Sequence, residues 1–180
     1  MSKFYTGVGH RLRNCTKEGI EFAGWLAGEM AKRGYTGISG DADGIDRAFS
    51  IGSGEQCRVY LPREGFGKYV TRDDSKRIVL TPEEGLYADE KLLELGILPE
   101  IATMSSYNKA YHRRNFFQSW NHGELPEVCF YYAKEKDGVI EGGTRTAVYT
   151  ARYFGIPTYN FYTSEGRELI RRLLEEEKWT

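Results

Sequence analysis

Ser39-Gly40-Asp41-Ala42-Asp43-Gly44-Ile45-Asp46 decides how this chain is read. It closes the short apolar run 35–39 and opens a stretch in which Ala42, Ile45, Ala48 and Phe49 recur at helical spacing. A strand that hands over to a helix through glycines is the junction of an α/β fold. A second such junction, Glu141-Gly142-Gly143-Thr144-Arg145-Thr146-Ala147, follows about a hundred residues later. A third, Thr6-Gly7-Val8-Gly9-His10-Arg11, lies near the start. Helix N-termini present free N–H groups and the positive end of a dipole, and glycines let a phosphate approach them. Together the loops suggest a nucleotide or nucleic-acid phosphate site.

Outward from these loops the pattern alternates. Strands are expected at 3–8, 35–39, 57–61, 128–132 and 157–162. Helices are expected at 16–33, 43–50, 86–95, 106–120, 144–154 and 165–177. Strands that alternate with helices imply a mostly parallel sheet covered on both faces, a doubly wound α/β fold. One domain is expected over 1–180, with an irregular insertion at about 62–105, rich in Gly, Pro and charge toward its start. In such folds ligands sit at the carboxyl ends of strands, where the strand order reverses. All three glycine loops leave strand ends of this kind and can converge on one cleft.

The composition, 40% hydrophobic and 28% charged, suits a folded globular chain and excludes wholesale disorder. The net charge of −1 provides no global basic field, so any nucleic-acid site must be a local patch. Three cysteines, Cys15, Cys57 and Cys129, stand far apart and fit thiols in a reducing cytoplasm better than a disulfide framework. With His10, His112 and His122 they form no metal-ligand spacing, and no cofactor is implied. No apolar run reaches the length a membrane span needs, and the N-terminus reads as a strand rather than a leader.

Asp41, Asp43 and Asp46 admit two readings. Asp41 or Asp43 caps the following helix. Alternatively Asp46 or a neighbour holds a sugar hydroxyl or acts as acid or base. Carboxylates repel phosphate, so they are expected to face ribose or base. The stretch Tyr107-Asn108-Lys109-Ala110-Tyr111-His112-Arg113-Arg114-Asn115 mixes aromatic and cationic side chains. Adjacent arginines on a helix point about 100° apart. One of Arg113 and Arg114 is therefore expected on a phosphate and the other on an internal carboxylate, unless the stretch is a solvated face. Arginine forks bind phosphate and aromatic rings stack on bases.

Ser39-Gly40-Asp41-Ala42-Asp43-Gly44-Ile45-Asp46 resembles the S-G-x-A-x-G-I-D signature of the DNA-processing protein A family (DprA/Smf). Arg113-Arg114-Asn115 resembles that family's arginine–asparagine element, and Gly142-Gly143-Thr144-Arg145-Thr146-Ala147 its segment ending in Thr-Ala. The order of the three agrees, and the likeness spans residues 3–162. The resemblance implies a Rossmann-like fold within the SLOG superfamily, shared with the lysine-decarboxylase-like (LOG) nucleotide phosphoribohydrolases. It implies a nucleotide-binding cleft, for the DprA family single-stranded DNA binding, and a homo-oligomer. The opening turn and compact size also resemble small DprA-like proteins carried by bacteriophages. Against the DprA pattern, neither a helical bundle before this core nor a winged helix after it is expected, so full recombination-mediator activity is not. The LOG motif P-G-G-x-G-T-x-x-E, aligned on Gly143-Thr144, puts Ala147 where the catalytic glutamate stands. Asp46, Asp43 and Glu141 are the candidates to replace it.

The expected ligand site therefore joins Thr6, Gly7, His10 and Arg11 with Ser39, Gly40, Asp41 and Gly44. Arg113, Arg114 and Asn115, and Gly142, Gly143, Thr144 and Arg145, complete it. Glycine-loop N–H groups would hold phosphate, with Arg11, Arg113 or Arg145 as its countercharge. Binding of a nucleotide or nucleotide-derived phosphorylated molecule is the leading function. A nucleotide N-glycosidase and a single-stranded DNA binder are the alternatives.

Overall fold

The computed structural model describes residues 2–67 and 74–179. Its centre is a six-stranded, wholly parallel sheet in the order β4-β3-β2-β1-β5-β8. The strands are β1 (Lys3–Gly9), β2 (Tyr35–Ser39), β3 (Cys57–Leu61), β4 (Arg77–Val79), β5 (Val128–Tyr132) and β8 (Thr158–Asn160). A small antiparallel hairpin, β6 (Glu135–Lys136) and β7 (Val139–Ile140), lies between β5 and β8 in the chain. The helices are α1 (Lys17–Lys32), α2 (Ile45–Ser53), α3 (Pro82–Glu94), α4 (Ser106–Trp120), α5 (Thr144–Tyr153) and α6 (Ser164–Glu176).

Residue alternation along the central strand explains the layers. Successive strand side chains point to opposite faces. Tyr5 joins Phe22, Leu26, Phe49 and Ile170, so α1, α2 and α6 cover one face. Phe4 joins Leu92, Phe116 and Phe117, and Val8 joins Ala147 and Val148, so α3, α4 and α5 cover the other. Gly7 lets α2 approach closely, because a side chain there would run into the Phe49 ring. The fold is Rossmann-like α/β with helices on both faces. The chain builds outward from β1 to β4, then returns to β5 and β8 on the other side of β1. The strand order therefore reverses between β1 and β5, where two neighbouring carboxyl ends leave a crevice.

Two features differ from the sequence expectation. Within 62–105, β4 extends the sheet beside β3, and α3 starts at Pro82 behind a capping box of Thr81 and Glu84. The three residues of β4 follow the charged stretch Arg72-Asp73-Asp74-Ser75-Lys76, and no strand was expected there. Residues 68–73 of the expected insertion lie outside the described residues. The hairpin β6–β7 was also missed. Its turn is Asp137-Gly138, both at positive φ (51° and 75°), as a tight two-residue hairpin requires. The hairpin delivers the chain to Gly142, with the Glu141 N–H donating to the Lys134 carbonyl at 3.1 Å. No described helix is long and apolar enough to cross a membrane.

Candidate functional site

A cleft of about 330 Å³ opens at the carboxyl ends of β1 and β5. Its walls come from the turn after β1, the start of α2, one face of α4 and the N-terminus of α5.

The floor is polar and buried. Asp46, in the first turn of α2, is 4% exposed. Its Oδ1 accepts the Gly9 N–H at 3.0 Å and its Oδ2 accepts from Gln118 Nε2 at 3.3 Å. Arg114 Nη1 stands 3.5 Å from Oδ2 and donates to the Gly40 carbonyl at 2.6 Å. Burial pushes the Asp46 carboxyl above the usual carboxylate range, against the opposing pull of Arg114 and of both hydrogen bonds. Gly40 is required here, since a Cβ would run into the Arg114 guanidinium. Among the described residues Gln118 Oε1 and Arg114 Nε, both buried, have no hydrogen-bond partner, and both residues line the cleft.

One wall is the N-terminal end of α5. Gly142, at φ 76°, Gly143 and Thr144 bring the N-terminus of α5 into the cleft. The Arg145 and Thr146 N–H groups turn back to the Gly142 and Gly143 carbonyls at 3.3 and 3.2 Å, so the N–H groups this end presents without a backbone acceptor among the described residues are those of Gly143 and Thr144. Asn115 Nδ2 donates to the Gly143 carbonyl at 2.8 Å and fixes this turn to α4. His10 stands beside it, its Nδ1 3.9 Å from where a Gly142 side chain would begin. His10 Nε2 accepts the Lys134 N–H at 3.0 Å, which leaves the ring proton on Nδ1. Burial lowers the imidazole below its ordinary value although Glu141 opposes this, so His10 is a neutral donor at pH 7.

The opposite wall is aromatic and cationic. Tyr107 and Tyr111 line it, their hydroxyls 3.0 Å apart. Arg11 lies over the Tyr111 ring at 5.2 Å. Arg63 donates to the Tyr111 hydroxyl at 3.0 Å and lies over the Tyr107 ring at 5.5 Å. Burial raises the Tyr111 phenol, but hydrogen bonds with Tyr107, Arg63 and Arg11 together bring it down to about 8.

Of the residues expected from sequence, His10, Arg11, Asp46, Arg114, Asn115, Gly142, Gly143 and Thr144 line this cleft. The others do not. Thr6 is a strut beneath it, donating to the Gln118 carbonyl at 2.6 Å, and Ser39 Oγ ties to the Gly7 carbonyl at 2.6 Å. Asp41 is fully buried, 3.5 Å from Arg47 Nε. Gly44, at φ 105°, is the N-cap of α2 with no side-chain cap, so neither Asp41 nor Asp43 caps that helix. The start of α2 offers little to a phosphate, because the Ile45 N–H donates to the His10 carbonyl and the Arg47 N–H to the Ala42 carbonyl. Asp43 and Glu141 are exposed beyond the lining.

The two arginines divide as helix geometry requires, but neither stands free for a phosphate. Arg113 forks onto Asp89 of α3 at 2.8 and 2.6 Å, while Arg114 turns inward to Asp46. Arg145 pairs with Glu100 at 2.5 Å. Gln118, Arg63 and Phe66 were missed. Gln118 carried a readable signal, as a polar residue four positions after Arg114 within an aromatic run. Arg63 and Phe66 lie in a loop whose course no periodicity reveals. Among the described residues no three His, Cys, Asp or Glu side chains gather as a metal site needs.

Fold and cleft together define a Rossmann-like α/β protein with a ligand-sized crevice at its topological switch point. Solved structures share this fold. DNA processing protein A from Helicobacter pylori, described with a single-stranded DNA binding mode, superposes with a TM-score of 0.56 at 16% identity, over 98% of this chain and 74% of that one. The molybdenum cofactor carrier protein from Chlamydomonas reinhardtii gives 0.57 at 13% identity, over 96% and 85%. The molybdenum cofactor binding protein from Rippkaea orientalis gives 0.56 at 14% identity, over 99% and 88%. At these identities the likeness is one of fold. No protein-family model matches the chain, and no curated protein matches its sequence.

Proposed function

We propose that this protein binds a nucleotide or nucleotide-derived phosphorylated molecule in the cleft between β1, β5, α4 and α5. One observation carries this reading. The N-terminus of α5 and the neutral His10 donor border a cleft whose floor holds a buried Gln118 oxygen with no hydrogen-bond partner among the described residues. A phosphate meets N–H donors at the helix end. Asp46 and Gln118 offer acceptors on the floor to hydroxyl groups of the ligand. The fold likeness to a DNA-processing protein and to cofactor carriers supports a binding role, as does the resemblance of the glycine loops to the DprA and LOG families.

A nucleotide N-glycosidase would need a carboxylate beside the glycosidic bond to stabilise an oxocarbenium-like sugar or to activate water. Asp46 is the candidate within the cleft, and both its oxygens already accept hydrogen bonds from Gly9 and Gln118. A carboxylate so held suits a hydroxyl acceptor better than a base. Calorimetric titration with the common ribonucleoside monophosphates tests the proposal. Micromolar-to-millimolar binding that weakens at least tenfold in Gly142→Val is the expected result. Release of free base, lost in Asp46→Asn, would instead establish the hydrolase. Self-association, which the family resemblance implies, is checked by light scattering.

A further inference from the structure

The face of α4 that looks into the cleft is graded from polar to aromatic. Gln118, Asn115, Tyr111 and Tyr107 fall on it at intervals of three and four residues, the spacing of one helix face. Gln118 is on the buried floor and Asn115 is tied to Gly143 at the α5 wall. Tyr111 is half-buried and Tyr107 is 62% exposed at the rim. With a rise of 1.5 Å per residue, the two tyrosines stand about 6 and 12 Å further along the helix than Asn115. A phosphate placed at Gly142–Thr144 and a ring placed on the tyrosines would thus be separated by roughly one ribose.

Tyr107 is not simply a loose surface side chain. Its hydroxyl is anchored to that of Tyr111, and the Arg63 guanidinium covers its ring. Phe66 braces Tyr111 edge-on at 5.9 Å between centroids. The result is an oriented aromatic ledge flanked by two cations, Arg11 and Arg63, at the mouth of a polar cleft. Aromatic and guanidinium faces of this kind accept a flat heteroaromatic ring, and they tolerate any base because every base has a π-face.

We propose that Tyr107 and Tyr111, framed by Arg11 and Arg63, form the subsite for the nucleobase of the bound nucleotide, and that this subsite stacks on the base without reading its edges. The inference rests on the proposed nucleotide function and adds to it the orientation, with phosphate at α5 and base outward, and a weak base preference.

The test compares the four ribonucleoside monophosphates with ribose 5-phosphate, which keeps the phosphate and sugar but lacks the base. Binding is measured by calorimetry for the wild-type protein and for Tyr107→Ala and Tyr107→Phe. Tyr107 is exposed, and circular dichroism checks that each variant folds. The nucleotides are expected to bind about tenfold tighter than ribose 5-phosphate, the gain of one stacked base. The four bases are expected to lie within a few-fold of one another. Tyr107→Ala should remove most of the gain and Tyr107→Phe should keep it. Equal binding of ribose 5-phosphate and nucleotides, unchanged in Tyr107→Ala, would overturn the base subsite and leave the phosphate site standing. A preference above about a hundredfold for one base would overturn stacking without readout. Binding of neither ligand would overturn the proposed function together with this inference.

Discussion

Arg114 shows how one residue joins folding to the cleft. It is 4% exposed, and its guanidinium meets the Gly40 carbonyl and the Asp46 carboxylate while also lining the site. A guanidinium stays charged at any accessible pH, so its burial is sustained by those partners. Removing one member of a buried pair leaves the other charge without compensation, which costs about 3–5 kcal/mol. Arg114→Leu is therefore expected to lower unfolding free energy by about that amount in urea titration. Adding Asp46→Asn should recover part of the loss, since the two residues are coupled. A loss below about 1 kcal/mol in the single variant would mean that the pair behaves like a surface contact. Much of this was hidden from the sequence. Arg113-Arg114-Asn115 announces a cationic element, but the pairing of Arg113 with Asp89 and Arg114 with Asp46 depends on which helices flank α4.

At the scale of elements, capping decides where α3 stands. Thr81 Oγ1 accepts the Glu84 N–H at 3.2 Å, and Glu84 Oε2 accepts the Thr81 N–H at 2.8 Å. Glu84 also reaches out of its own helix, with Oε1 2.7 Å from His122 Nε2. The His122 Nδ1 in turn lies 2.8 Å from the Tyr60 hydroxyl, so one glutamate links α3 to β3 and the end of α4. Partial burial raises the Glu84 carboxyl, but bonds from the Thr81 N–H and His122 outweigh it and hold the group below its ordinary value. A carboxylate lowered in the fold stabilises it above the unfolded pKa of about 4.3. That contribution is lost as pH falls through the lower folded value. Thr81→Ala should cost about 1 kcal/mol at neutral pH. Glu84→Gln should flatten the loss of stability below about pH 4.3, and an unchanged acid limb in thermal melts would refute this role. The capping pattern Thr81-Pro82-Glu83-Glu84 was legible in principle, yet the charge and proline content of the region outweighed it in a reading by composition. Elements with a full period were legible within a residue or two: β2 and β3 at 35–39 and 57–61, and α4 at 106–120. Of the short strands, β8 was legible within the wider expected run 157–162, whereas β4, β6 and β7 were not.

For the whole molecule, alternation of strand and helix showed a doubly wound sheet. The order β4-β3-β2-β1-β5-β8 was beyond it, because no residue pattern states which strand lies beside which. That order places the cleft, and the charges around it bear on the proposed preference for a small nucleotide over a nucleic-acid strand. A strand that tracks several phosphates needs several cations along one groove. The net charge is −1, so these must be local. The basic run Lys109-Ala110-Tyr111-His112-Arg113 looks suitable in sequence, but Asp89 takes both its cations, with Arg113 at 2.6 Å and Lys109 at 3.8 Å. Arg145 is held by Glu100, and Arg114 lies beneath the surface beside Asp46. Among the described residues Arg11, Arg13 and Arg63 remain around the mouth, which favours one small ligand over a track in the proposed reading. A single strand releases about 0.7 counterion per phosphate contacted, so the salt slope counts contacts. Nucleoside monophosphates should bind with a slope near −1 to −2 in log affinity against log salt, and a labelled oligonucleotide should bind weakly at ~150 mM salt. Fluorescence anisotropy against calorimetry measures both. Tight oligonucleotide binding with a slope steeper than about −4, reduced by roughly one unit in Arg11→Ala, would reverse the order of the two ligands and make the aromatic rim the start of a strand-binding groove.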